Sequence, residues 1–159
     1  MTPDILARLK SGGFVDSSAT GFMDELGDAY AANRGQEAMR WMWPHRSLID
    51  AGVPAPGHSD FAVCRVSPWT ALGAMVTRRT TTGADLDAQQ AITPLEALRA
   101  YTWLGAWAQR EEHEKGSLEI GKLADLVVLD RDILHGDPDQ IAGTRVRATI
   151  VGGVQRYRA

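Results

Sequence analysis

Cysteine is almost missing from this chain: Cys64 stands alone among 159 residues, so no internal disulfide can form. Long apolar runs are missing too, and none approaches the roughly 20 residues that a membrane-spanning helix needs. Met1 to Lys10 carries no apolar core of the kind that marks a secretory signal, so the expected address is the cytoplasm. There is no basic excess either. Lys plus Arg number 17 against 20 for Asp plus Glu, a formal charge of -3, with no local Lys/Arg cluster, which excludes a strongly basic nucleic-acid binder. No Gly-rich phosphate loop, internal repeat or low-complexity tract occurs. His-x-His, His-x-x-x-His and Cys-x-x-Cys are all absent, so no compact metal site is visible. Length removes one more possibility, because a complete (β/α)8 barrel takes about 250 residues and rarely fewer than about 200. What is present is an ordinary globular balance, 44% apolar and 23% charged, enough for one domain.

Three helices declare their starts with one device. Thr2-Pro3, Ser67-Pro68 and Thr93-Pro94 each put a hydroxyl at a candidate N-cap and proline at the first helical position, where its missing N–H costs nothing. Thr93-Pro94-Leu95-Glu96 is also a capping box. Helices are expected over 3–10, 68–79 and 93–109, with a shorter one from Pro44 to Gly52 and a further helical stretch within 21–40. Phe14-Val15-Asp16 and Val53 to Ser59 read as short strands between them, giving the βα alternation of a parallel layer. Beyond residue 115 the pattern changes. Leu126 to Leu129 is an apolar run flanked by Asp125 and Asp130, consistent with a strand buried on both faces. Arg145 to Ile150 alternates as a half-buried strand. Gly152-Gly153 suits a two-residue hairpin turn, with Val154 to Tyr157 returning antiparallel. Thr80-Thr81-Thr82-Gly83 is the expected flexible loop.

Chemistry-bearing candidates gather around His58-Ser59-Asp60, at the carboxyl end of the second expected strand, where α/β layers assemble their sites. Residues i and i+2 of a strand face one side, so His58 and Asp60 could converge, with the carboxylate holding a metal or moving a proton. The alternative is that Asp60 caps the following loop and His58 is a satisfied hydrogen-bonding residue. Trp69, nine positions after Asp60, is a candidate pocket wall. Cys64 lacks a local base and reads as a buried structural thiol. Trp103 and Trp107 share a helix face and read as core packing. His45 falls in a helix's first turn, and His113 and His135 read as solvated surface.

Several longer stretches now bear comparison. Ser47-Leu48-Ile49-Asp50-Ala51-Gly52-Val53, Gly57-His58-Ser59-Asp60 and Val76-Thr77-Arg78-Arg79 resemble the metal-dependent amidohydrolases. Thr93-Pro94-Leu95-Glu96-Ala97-Leu98-Arg99-Ala100-Tyr101-Thr102 and the run from Lys115 through Gly116-Ser117-Leu118-Glu119 to Asp130 are similar to the C-terminal third of the branch called amidohydrolase family 3.

The resemblance implies an α/β fold: the C-terminal portion of a (β/α)8 metal-dependent hydrolase barrel, residues 1–112, followed by strands of a small β-sandwich, residues 113–159. It implies hydrolysis of non-peptide carbon–nitrogen bonds in a small-molecule substrate. Asp60 matches the aspartate that ends the last barrel strand, which contacts a divalent metal, zinc being the expected one, and carries a proton from the attacking water to the leaving nitrogen. His58 and Trp69 are the expected substrate-binding neighbours. The family's His-x-His, its bridging ligand and its two later histidines have no match here. Tyr101-Thr102-Trp103 departs from the usual asparagine-alanine after the threonine. A catalytic zinc takes three protein ligands plus water, so this chain alone is not expected to hold the metal stably. The expected partner is an N-terminal barrel fragment or a second copy, since open parallel strand edges invite pairing. The alternative is a non-catalytic remnant or assembly module that needs an N-terminal partner.

Overall fold

A computed structural model describes residues 1–159. Seven helices, α1 (Pro3–Ser11), α2 (Gly21–Arg34), α3 (Gln36–Met39), α4 (His45–Ala51), α5 (Pro68–Thr77), α6 (Pro94–Tyr101) and α7 (Trp103–Ala108), precede a small sheet. Prolines occupy the first helical position of α1, α5 and α6. Only Thr93 caps as expected. Its hydroxyl accepts from the Glu96 N–H, and the Glu96 carboxylate returns to the Thr93 N–H. The Thr2 hydroxyl turns instead to the Asp4 carboxylate.

Two expected helices are shorter than their sequence suggests. The 68–79 helix stops at Thr77, because Arg78 takes a left-handed backbone (φ +56°) and turns its side chain into the core. The 93–109 helix breaks at Thr102, whose hydroxyl donates back to the Leu98 carbonyl at 2.8 Å. Such back-bonding competes with the helix ladder and bends it.

The expected strands near 14–16 and 53–59 are present only as a minimal parallel pair. Asp16 and Ser18 donate to the Pro54 and Pro56 carbonyls, and His58 donates to Ser18, each at 3.0 Å. Ser18 and Gly57 form a single parallel bridge. The reason lies in the sequence. Positions 54, 56 and 58 point their N–H groups at the neighbouring segment, and prolines at 54 and 56 delete two of those three donors.

The main core joins Met23, Met39, Leu72, Met75, Leu86, Ile92 and Ala97 with Ile133 and Ile141. A 3-10 helix (Pro138–Gly143) lies across α5, where a Cβ on Gly73 would come within 3.3 Å of Ala142. A smaller cluster of Leu48, Val53 and Ala55 is covered by Leu6 and Leu9 of α1.

Strands β1 (Leu126–Leu129), β2 (Val146–Val151) and β3 (Val154–Arg158) form an antiparallel sheet in that order. Gly152 and Gly153 make the expected turn with positive φ (+57° and +76°). In β2, Val146, Ala148 and Ile150 are half-buried and Arg147 is exposed. The expectation for β1 is corrected: Val127 and Val128 stand 47% and 46% exposed, because the sheet has no second layer across them. No helix is long and apolar enough to cross a membrane.

Candidate active site

The extended segment 53–58 delivers His58, Ser59 and Asp60 to the end of the parallel pair. At Asp60 the backbone enters the left-handed region (φ +52°), which aspartate tolerates better than most residues. The Asp60 N–H donates to His58 Nδ1 at 3.1 Å, and the Asp60 carbonyl accepts from Val63 N–H at 2.7 Å. The Asp60 carboxylate is exposed and makes no hydrogen bond within the chain. His58 Nε2 meets the Ser17 carbonyl at 3.3 Å.

Neighbouring elements hold this turn in place. The buried Thr20 hydroxyl bonds the Tyr101 hydroxyl and reaches the His58 carbonyl at 3.4 Å. Gly57 donates to the Ala100 carbonyl at 3.2 Å, and a Cβ at Gly57 would fall 2.5 Å from the Tyr101 ring. The absence of a side chain at 57 is what lets α6 close on the strand end. Burial pushes the Tyr101 phenol up despite its bond to Thr20. Burial likewise raises the half-buried Asp16 carboxyl, against the pull of the amino terminus and His58. Cys64 is 3% exposed. Burial, then the Glu25, Asp60 and Asp24 charges, raise its thiol and keep it protonated, which opposes a nucleophilic role.

The other sequence candidates make no bond to this turn. Trp69 sits in the first turn of α5, half-buried against the main core, with no hydrogen bond to His58 or Asp60. His113 and His135 are exposed beside Glu114 and Asp132. His45 is 1% exposed in the interior. Two shallow hollows, of about 340 and 280 Å³, are lined by Ile5, Leu9 and Phe14 and by Arg131, Ile133 and Gln140, so neither borders Asp60. Neither Thr20 nor the Tyr101 hydroxyl stands out in the sequence as part of a site. Their pairing joins positions 81 apart, and no local spacing announces it.

The pattern defining the amidohydrolase family matches residues 1–157. The chain belongs to that family. It is 35% identical to an N-substituted formamide deformylase of Arthrobacter pascens, over 97% of this chain and 31% of that protein. It is also similar to the structure of an uncharacterized metal-dependent hydrolase from Pyrococcus horikoshii (TM-score 0.74, 25% identity, 87% of this chain and 28% of the other). A Xaa-Pro dipeptidase structure shares the fold over 100% of this chain and 38% of its own (TM-score 0.70, 19% identity). The chain therefore spans well under half the length of each of these relatives.

A divalent metal at such a centre takes several protein donors. No three His, Cys, Asp or Glu side chains converge anywhere in this chain. Asp60 offers one uncommitted carboxylate, while both His58 ring nitrogens already face main-chain groups. The residues present do not by themselves fit a metal.

Proposed function

We propose that this chain is the C-terminal part of a metal-dependent amidohydrolase that cleaves non-peptide carbon–nitrogen bonds of small molecules. In this reading residues 1–112 supply the last units of the barrel and 113–159 supply sandwich strands. The observation that carries it is the Asp60 carboxylate, free of internal bonds at the end of the extended segment in a chain matched to the family over nearly its whole length. Asp60 is the catalytic residue and one donor to a metal, zinc by expectation, whose remaining donors come from residues beyond this chain. Trp69 is the expected wall of the substrate pocket, and His58 acts through the main chain of Asp60.

The deformylase relative directs the first assay to N-substituted formamides. Water adds to the formyl carbon, and the proton it loses passes to the Asp60 carboxylate. Asp60 returns that proton to the nitrogen as the C–N bond breaks, leaving formic acid, which keeps the second water proton, and a free amine. Positioned proton transfer of this kind contributes about 10²–10⁴ in rate.

The test combines this chain with an N-terminal barrel segment bearing His-x-His and measures metal content and turnover. Asp60→Asn is expected to abolish turnover while most of the metal stays bound. Unchanged turnover would remove Asp60 from the mechanism. A second reading, an assembly module without activity, draws on the exposed apolar face of the C-terminal sheet. Turnover that returns on mixing with the N-terminal segment rejects it. Conversely, stoichiometric zinc and amide cleavage by the unaccompanied chain would show that no partner is required.

A further inference from the structure

We propose that His58 is a positioning residue, with Nε2–H donating and Nδ1 accepting, which fixes the main chain of Asp60 and thereby aims the Asp60 carboxylate outward. The proposal rests on the reading of Asp60 given above.

Every polar atom of His58 is engaged. Its N–H donates to the Ser18 carbonyl at 3.0 Å, and its carbonyl accepts from Gly21 N–H at 3.3 Å and from the Thr20 hydroxyl at 3.4 Å. Nδ1 faces the Asp60 N–H at 3.1 Å and Nε2 faces the Ser17 carbonyl at 3.3 Å. The partners dictate the proton. A main-chain N–H only donates, so Nδ1 must offer its lone pair. A carbonyl only accepts, so Nε2 must carry the hydrogen. The ring therefore has no lone pair left over for a metal or a substrate proton.

Four of these five partners belong to residues 17–21, and the fifth is Asp60 itself. His58 thus staples the turn after the second segment onto the end of the first. Asp60 needs that support. Its backbone is in the left-handed region, which L residues enter at a cost, and its carbonyl is tied only locally, to Val63. With N–H and carbonyl both bonded, the carboxylate is the sole part of Asp60 left to face a ligand. A site that carries charge in its transition state gains from a group fixed beforehand rather than recruited.

The primary test is imidazole and amide NMR on the ¹⁵N-labelled full chain. An unprotonated Nδ1, a protonated Nε2 and scalar coupling from the Asp60 amide nitrogen to His58 Nδ1 are expected. Two variants separate the roles. His58→Asn keeps an acceptor oxygen where Nδ1 stood, whereas His58→Leu keeps none. Exchange of the Asp60 amide should accelerate about tenfold in His58→Leu, the worth of one hydrogen bond, and stay near its original rate in His58→Asn. With the N-terminal segment added, His58→Leu should lower kcat with KM little changed, and His58→Asn should restore kcat.

A protonated Nδ1, or a ring averaging between tautomers, overturns the proposal, and that measurement stands even if His58→Leu fails to fold. KM rising equally in both variants at constant kcat overturns it as well and assigns His58 to substrate. Retained turnover in Asp60→Asn would sink the reading of Asp60 alone, because the tautomer and the coupling are read without any activity.

Discussion

Arg78 Nη2 lies 2.6 Å from the Leu86 carbonyl oxygen, in the middle of the core and wholly shielded from solvent. The rest of the guanidinium is as fully used. Nη1 donates to the Trp43 carbonyl and the Met23 sulfur at 3.0 Å, Nη2 also to the Met39 and Met42 carbonyls, and Nε to those of Leu86 and Asp87. No carboxylate touches it. Main-chain dipoles stand in for water around a buried cation, tying α3, the turn before α4 and the 84–87 loop to the end of α5. Burial still lowers its pKa to about 10, opposed by the charges of Asp87 and Asp85.

Arg78→Met should therefore be among the most damaging substitutions in the chain. It fills similar space but leaves the Leu86 and Met42 carbonyls without a donor, and each buried acceptor left unpaired costs about 1–3 kcal/mol. Arg78→Lys should recover only part of that, since one ammonium cannot span a fork of acceptors. Urea unfolding checks both. A midpoint for Arg78→Met within error of the original would show that the guanidinium bonds contribute nothing net.

His45 shares this interior and gives the chain an acid sensitivity. Nδ1 pairs with the Trp43 carbonyl at 3.1 Å, while Nε2 is buried without a partner. Burial, aided by the Arg78 charge and only partly opposed by the Trp43 bond, pulls its pKa from 6.5 to about 4. Above pH 6.5 the ring is neutral folded or unfolded, so it imposes no penalty. Between pH 6.5 and 4 the unfolded chain takes up a proton that the native chain refuses, so stability falls as pH falls. The full loss, reached near pH 4, is about 3 kcal/mol. His45→Phe should flatten that segment of the stability–pH curve. Equal slopes for the two proteins, in urea titrations from pH 7 to 4, would contradict the assignment.

What the sequence disclosed and what it concealed divide by distance along the chain. The Thr93–Glu96 box and the Gly152-Gly153 turn are local devices, and both are seen as expected. His58 and Asp60 do stand at the end of the 53–58 segment, but Asp60 lies in a left-handed turn, so the strand spacing expected to aim both side chains to one side does not apply. Arg78 was hidden because its acceptors come from 39–43 and 86–87, and a Thr-Arg-Arg run ordinarily signals solvent. The Thr20–Tyr101 pairing was hidden for the same reason. The apolar run 126–129 misled in a different way. Its composition suits cover on both faces, and burial depends on a layer that residues 1–159 do not place over it.

That uncovered sheet makes the last prediction. Val127, Val128, Val151, Val154 and Tyr157 are each between 46% and 51% exposed, and β3 pairs with β2 along one edge only. A free edge beside apolar side chains is a template for a second strand. Arg156 and Arg158 lie on that same edge strand, so two copies meeting edge to edge bring like charges together. Salt screens such exposed repulsion within a Debye length of about 8 Å at 0.15 M. Self-association should therefore strengthen as salt rises, opposite to an assembly held by ion pairs. Val154→Lys with Tyr157→Lys, adding charge and removing apolar area, should return the chain to a monomer at all salt levels. Sedimentation equilibrium reads this directly. A mass of 17.3 kDa at every concentration and salt level in the unaltered chain would show that the Arg156 and Arg158 charges already suffice to keep the edge unpaired.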